Sequence, residues 1–550
     1  MMRKNLLPYL IAAVLLVGCN TLPLTDTVAV RIVAINDFHG NLQPPPDGLR
    51  IQDRSQPGQT VSIKAGGAER MASAVADLTK SHPDHVFVAA GDLVGASPLL
   101  SSLFHDEPTI EALSLMGLEA SAVGNHEFDG GTQELRRKQV GGCHPVDGCR
   151  GPVPFRGAQF KYLAANTVDS STGKTFFPPY FVKRFQGIPV AFIGITLEGA
   201  PGIIVPSSIA GLDFKNEADT VNSLVPLLRA QGVEAIVVLI HEGGLPTGDY
   251  NECPGISGPI VDIVKRFDKA IDLVISGHTH KAYNCRIDGR LVTSGDKYGT
   301  MLTSIDLVLA RRSGDVQSAV ANNVIIAPDF PKNAQQSRII AQYEQLARPL
   351  AKRVVAHIDA TLSTTANPAG ESPLGQVIAD AHLLSTKDAG AQVAFMNPGG
   401  IRAVLGKPEG GDLVYEELFT VQPFHSSLVT LTLTGAQIFD ILEQQWINQE
   451  PEGNLLQVSR GFTYTWDSAK PVGSRVVPGS VLLEGRAVES GAVYRVTANA
   501  FLAGGGDKFP AFKLGRDRRI GISDVEALEQ YVKASKNLTS RQQDRVLRLR

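Results

Sequence analysis

Net charge is nearly absent from this sequence: 52 Lys and Arg against 55 Asp and Glu leave −3 at pH 7. A chain without a broad basic field is not built to neutralise a phosphate polymer, which argues against nucleic-acid polymers as partners. Charged residues reach only 19% while hydrophobic ones make up 43%, a balance that excludes a disordered chain. The 54 Gly and 33 Pro follow no repeating register, which excludes a collagen-like rod. The 5 Cys include no C-x-x-C pair, so a thiolate zinc site lacks its usual spacing. No run approaches the ~18 apolar residues of a membrane-spanning helix, and neither internal repeats nor low-complexity tracts stand out. What remains, at 550 residues, is a globular chain too long for one ordinary core, of roughly two to four domains. Any ligand has to be caught by a local site.

The N-terminus reads as an address. Arg3 and Lys4 precede an apolar stretch from Leu6 to Val17, too short to span a bilayer. It ends in Leu16-Val17-Gly18-Cys19, which resembles a bacterial lipobox. Residues 1–18 are therefore predicted to be a lipoprotein signal peptide and Cys19 the lipidated first residue, with an ordinary signal peptide as the alternative. Lipid would be the only membrane attachment, and Asn20 rather than Asp after the Cys implies an outer-membrane, periplasm-facing location in the cell envelope. The other four cysteines are an even number for an oxidising compartment, with three possible pairings. Cys143 and Cys149 flank a turn-like loop, and Cys253 and Cys285 each follow a candidate site segment. Two disulfides, 143–149 and 253–285, are the expectation; free thiols are the alternative.

From Val28 to about Leu309, short β-branched apolar runs alternate with helical stretches such as 68–80 and 218–230. Those runs read as strands buried on both faces of an α/β fold. The Pro-rich segment 44–58 reads as a surface loop. Residues 333–356 form a polar stretch of helical spacing that bridges to a second half, where helices (374–385, 435–449) mix with strands (427–433, 494–498).

Five polar clusters each follow a strand or short apolar run: Asn36-Asp37-Phe38-His39-Gly40, Gly91-Asp92, Gly124-Asn125-His126-Glu127, His241-Glu242-Gly243 and Ser276-Gly277-His278-Thr279-His280. Ligands bind beyond the carboxyl ends of strands in open α/β sheets, so the clusters are expected to converge. Imidazole and carboxylate suit borderline divalent metals. A lone histidine at a strand end is commonly structural; five ordered clusters are not so easily explained.

The ordered set resembles the calcineurin-like metallophosphoesterase family, whose pattern runs D-x-H, G-D, G-N-H-[ED], H, G-H-x-H. The resemblance implies a four-layer α/β/β/α domain and two divalent metals, Zn²⁺, Mn²⁺ or Co²⁺. One would be held by Asp37, His39 and His280, the other by Asn125, His241 and His278, with Asp92 bridging. It further implies attack of metal-bound hydroxide on phosphorus. His126 would face the substrate, oriented by Asp129, although an Asp before a helix also serves as an N-cap.

The second half carries Asn397-Pro398-Gly399-Gly400-Ile401-Arg402, Gln422-Pro423-Phe424 and Phe501-Leu502-Ala503-Gly504-Gly505-Gly506-Asp507. These, with Glu371-Ser372-Pro373-Leu374-Gly375 opening a helix, resemble the C-terminal domain of the 5′-nucleotidase family. The resemblance implies that Phe424 and Phe501 clamp a base, Asp507 bonds ribose and Arg402 holds a charged group. Two departures bear on substrate rank: residues 363–373 lack the arginines seen before the L-G pair, and His425-Ser426 stands where Gly-Asn is usual. The implied domains are 19–332 (metallophosphoesterase), a linker helix at 333–356, and an α+β substrate-binding domain at 357–550. The implied enzyme is a 5′-nucleotidase acting on small extracytoplasmic nucleotides, with no obligate protein partner evident and a hinge near the linker. UDP-sugar, cyclic-nucleotide or sulfur-ester hydrolysis, and a non-catalytic binding lipoprotein, are the alternatives.

Overall fold

The computed structural model describes residues 26–549, except 54, 57–58, 408–409, 448, 450–452, 536–537 and 539–543. Cys19 and the predicted signal peptide lie outside the described residues.

Two six-stranded sheets carry the first half. In the first, Thr27–Ile35, His85–Ala89, Ala120–Ala122 and Lys161–Leu163 run parallel, and Met301–Ala310 and Val316–Ile325 extend the other edge antiparallel. In the second, Ile188–Thr196, Ala235–His241, Leu273–Ser276 and Arg290–Gly295 are parallel, with antiparallel strands at both edges. Continuous β-branched runs bury both faces, as parallel strands must when layers cover them. One face of each sheet meets the other through Val30, Ile32, Val88, Phe192, Val237 and Leu239. Their outer faces bury separate helix layers: Met71, Ile110 and Leu113 over the first sheet, Val221, Leu228 and Ile260 over the second. The fold is thus four-layered α/β/β/α, as the resemblance implied.

The Pro-rich segment departs from the loop expectation. Leu49–Gln52 pairs antiparallel with Thr60–Ile63, so a β-hairpin stands there. Its strands alternate apolar and polar residues, with Leu49 buried, Ile51 and Ile63 half-buried and Val61 exposed, but each run is only four residues long and lies between Pro- and Gly-containing stretches that read as loop. Helix Gly435–Gln444 also ends earlier than expected.

Helix Ala334–Ala351 is capped by Asn333, whose side chain accepts from the amides of Gln335 and Gln336. It is not a free spacer. Tyr343, Ala347 and Ala351 enter a core shared with Leu99 and Phe104 from the first half and with Leu374, Ile378 and Leu418 from the second. The second half is α+β. A five-stranded sheet, centred on Val493–Asn499, packs beside a smaller four-stranded one, around Phe395, Leu431, Phe462 and Phe512. The structure pairs Cys143 with Cys149 and Cys253 with Cys285.

Candidate metal centre

All five clusters stand at carboxyl ends of parallel strands: Thr27–Ile35, His85–Ala89 and Ala120–Ala122 in one sheet, Ala235–His241 and Leu273–Ser276 in the other. Because the two sheets stack, their strand ends open at one rim. There Asp37, His39, Asp92, Asn125 and His241 are buried, and His278 and His280 are partly so.

Their donor atoms converge. Asp37, His39 and His280 each place a ligand atom within 4.8 Å of the others, and so do Asp92, His241 and His278. Asp92 Oδ2 lies 3.0 Å from His241 Nε2 and 3.6 Å from His39 Nε2, which puts one carboxylate against both groups. Asn125 Oδ1 is 3.2 Å from His241 Nε2. The imidazoles are aimed by their far nitrogens: His39 Nδ1 contacts the Gly95 carbonyl at 2.9 Å and His241 Nδ1 the Ala90 carbonyl at 2.8 Å. The carbonyl contact at Nδ1 fixes each ring so that its Nε2 edge faces the site. The Nε2 atoms of His39 and His280 accordingly face each other at 3.2 Å, a contact suited to a shared cation. The donor set therefore fits divalent metals. His126 also falls within 4.8 Å of His39 and Asp92, so proximity alone does not exclude it as a ligand.

The backbone is bent to present these groups. Asp37, His39, Asp92, His278 and His280 all adopt left-handed φ, between 46° and 71°. Such conformations cost of order 1–3 kcal/mol each and persist where surrounding contacts over-determine them. Gly91 (φ 87°) lets the chain pass close by, since a Cβ there would sit 2.8 Å from His241 Nδ1.

Three supporting residues escaped a role in the sequence reading. The buried Glu127 carboxylate accepts from the amides of Asp92, Leu93 and Gly124 at 2.9, 2.8 and 2.6 Å, fixing two site loops together. Burial, reinforced by Asp92, pushes its acid up to about 7 against the pull of those amides. Asn36 donates to Asp37 Oδ2 at 2.7 Å and accepts from the Gly295 amide at 2.8 Å. Ala96 donates from its amide to Asp129 Oδ2 at 3.2 Å. Only Glu127 had a usable signal, its place inside the G-N-H-E run.

Burial opposes charge throughout the centre, and the carboxylates decide where it is overcome. It pushes His278 and His280 down to about 4. At His241 the same burial is outweighed by Asp92, which lifts it to about 10. Asp37 is held at about 2 despite burial, because His280 faces it.

His126 donates its amide to Asp92 Oδ1 at 2.9 Å, and its Nδ1 lies 2.9 Å from Asp129 Oδ2. Asp129 does not cap the following helix, whose N-cap position is Gly130. Burial depresses His126, but Asp129 and Asp92 outweigh it and raise its pKa.

The second half reaches this rim. The Phe424 ring stacks on His126 with centroids 5.7 Å apart, and the Arg402 guanidinium lies 5.9 Å over Phe424. Arg402 Nη1 donates to the Gly399 carbonyl at 3.3 Å, while its buried Nε and Nη2 have no hydrogen-bond partner among the described residues. Asp507 accepts from Asn397 at 2.7 Å. Among the described residues Phe501 makes no ring contact with Phe424; its ring packs where a Cβ on Gly506 would fall. His425, one of the two departures, lies 5.1 Å from the Phe419 ring, and the Ser426 carbonyl accepts from Asp524, so both serve the fold. A cleft of about 770 Å³ runs from His280 past Lys297 and Tyr298 to Arg402, with the 49–63 hairpin as one wall.

Comparison with known proteins agrees with this geometry. Residues 30–282 match the calcineurin-like phosphoesterase family and residues 354–514 the 5′-nucleotidase C-terminal domain. Endonuclease YhcR of Bacillus subtilis (strain 168) is 32% identical over 92% of this chain, which spans only 40% of that protein's length. Cell wall protein Lmo0130 of Listeria monocytogenes is 31% identical over 93% of this chain and 68% of its own. Among solved structures, the 5′-nucleotidase precursor from Thermus thermophilus superposes with a TM-score of 0.76 at 26% identity, covering 95% of this chain and 99% of that one. By motif order, fold and both domain matches, the chain belongs to the calcineurin-like phosphoesterase family with a 5′-nucleotidase C-terminal domain, a family of metal-dependent phosphoester hydrolases.

Proposed function

We propose that this chain is a dimetal 5′-nucleotidase of the cell envelope, releasing phosphate from small extracytoplasmic nucleotides. Asp37, His39 and His280 would hold one divalent ion, Asn125, His241 and His278 the other, and Asp92 both. Zn²⁺, Mn²⁺ and Co²⁺ all accept such N/O ligands. When bound, the ions supply a nucleophile near neutral pH and neutralise phosphoryl charge. The protein's own residues do the rest. Asp129 keeps the proton on His126 Nδ1 and turns the other edge of the ring toward the substrate, where His126 stabilises phosphoryl oxygens or protonates the leaving oxygen. Arg402 offers two unpaired nitrogens to an anionic group. Phe424 supplies a face for a base, with Phe501 as its partner in the clamp; stacking of this kind contributes about 1–3 kcal/mol per base. Asp507 would bond ribose hydroxyls. In this reading 19–332 is the catalytic domain, 333–356 the bridging helix and 357–550 the substrate domain.

The observation that carries the proposal is the meeting of the two halves: Phe424 lies 5.7 Å from His126 and brings Arg402 with it. An aromatic–arginine pair beside a metal cradle suits a planar base joined to phosphate. A second reading, phosphodiester cleavage, draws on the 32% identity to a protein named an endonuclease. Hydrolysis rates on AMP, UDP-glucose and 2′,3′-cyclic AMP separate the two. Fastest turnover of AMP, with KM raised in Phe424→Ala, supports the nucleotidase; preference for the diesters overturns it. Placement in the envelope rests on the lipobox-like Cys19 and on two disulfides, which persist in oxidising compartments. Globomycin-sensitive labelling of Cys19 by a palmitate analogue tests it; no label would remove the lipid anchor.

A further inference from the structure

A second group of metal-ligating side chains lies outside the rim already described. His105, in the turn between helices Leu99–Ser102 and Glu107–Leu115, faces the loop closed by Cys143–Cys149, which carries His144 and Asp147. One ligand atom from each of the three falls within 4.8 Å of the others. Asp147 Oδ2 is 2.9 Å from His105 Nε2 and 3.7 Å from His144 Nδ1. The two rings lie parallel, 3.8 Å apart. Despite its short contact, His105 Nε2 is a buried atom with no hydrogen-bond partner among the described residues, the 2.9 Å approach of Asp147 Oδ2 lacking hydrogen-bond geometry. Arg150 pairs with the other oxygen, Oδ1, at 2.9 Å and so orients the carboxylate with Oδ2 inward. His105 holds a left-handed φ of 55°, a strained conformation outside the catalytic rim.

We infer that His105, His144 and Asp147 form a third metal site, selective for a late first-row dication such as Zn²⁺. Two imidazoles and one carboxylate are the ligand set of such ions, and partial exposure leaves room for water as a further ligand. The disulfide closes a loop of sequence separation 6 and fixes His144 and Asp147 relative to each other. Arg150 supplies the outer contact that oriented ligands require. Binding replaces the 2.9 Å contact between Asp147 Oδ2 and His105 Nε2 and the hydrogen bond from the Asp147 amide to His144 Nδ1 at 3.2 Å, and splays the stacked rings. The site is structural, a staple between the 143–149 loop and the 105–106 turn. Asp106 is tied separately, by Ser101 Oγ at 2.8 Å and the Gly95 amide at 3.3 Å, so loss of the staple leaves the catalytic rim in place.

The test counts zinc per chain on the full protein, after chelation and equilibration in zinc-buffered solution, for wild type, His144→Ala and His105→Asn. Asn is chosen at 105 because it tolerates left-handed φ. Each variant should hold about one zinc fewer than wild type, with hydrolysis of p-nitrophenyl phosphate unchanged. The reading is the difference between proteins, so it stands or falls independently of how many ions the catalytic rim takes up. Equal counts in all three would overturn the site and leave a metal-free stack of rings. Loss of more than one zinc together with hydrolysis would also overturn it, by assigning these residues to the catalytic centre.

Discussion

His126 and Glu127 are adjacent in sequence and divide two tasks between them. The first presents a ring to the cleft, held by Asp129; the second turns inward and gathers three backbone amides. His126→Ala should leave metal content intact while lowering kcat roughly 10²–10⁴-fold; metal analysis with steady-state kinetics checks it, and loss of metal would make His126 a ligand. Glu127→Gln should act the other way. Its amide group would point N–H at N–H, so metal affinity should fall about 10–100-fold through loosened ligand loops, read by competition with a fluorescent chelator. At this scale the sequence was most legible where residue type is itself the chemistry, as with Asp37, His39 or His241. Glu127 and Asn36 were harder to assign, because most of their partners are backbone groups and a sequence shows only side chains.

Among the secondary-structure elements, position follows from strand ends. Continuous β-branched runs mark buried parallel strands, and the polar residues just beyond them share one rim. The hairpin at 49–63 was hidden because its alternating runs are only four residues long and sit among prolines and glycines, which read first as loop. The loop leaving strand Ala235–His241 is tied to edge strand Ala282–Ile287 by Cys253–Cys285. Cys253→Ser with Cys285→Ser should lower stability by about 3–4 kcal/mol, read by denaturant unfolding, as removal of a 32-residue closure implies. In helix Pro373–Ser385, burial pushes His382 down to about 3, and its Nε2 lies 3.4 Å from the Gln422 amide. A histidine neutral in the fold but protonating near 6.5 when unfolded stabilises above that pH and loses its contribution as pH falls. Between pH 7 and 5 this costs about 2 kcal/mol. His382→Gln should flatten that dependence, as measured by urea midpoints at the two pH values.

For the whole molecule, the α/β class of the first half was readable from periodicity and the four layers from the family resemblance, whereas the contacts through which the halves meet were not. Nothing in spacing says that Phe424 comes to lie on His126, or that the bridging helix is built into a core common to both halves; these depend on packing between segments some 300 residues apart, as with His126 and Phe424. That meeting makes Arg402→Ala a test of substrate binding at a distance from the metals: KM for AMP should rise with metal content unchanged. The central claim, that strand-end side chains build a metal centre on which hydrolysis depends, is tested most directly by AMP turnover as Zn²⁺ or Mn²⁺ is returned to chelator-treated protein. Turnover should vanish on chelation, return with metal in wild type and fail to return in Asp92→Asn; undiminished turnover in the metal-free protein, or full recovery in Asp92→Asn, would contradict it.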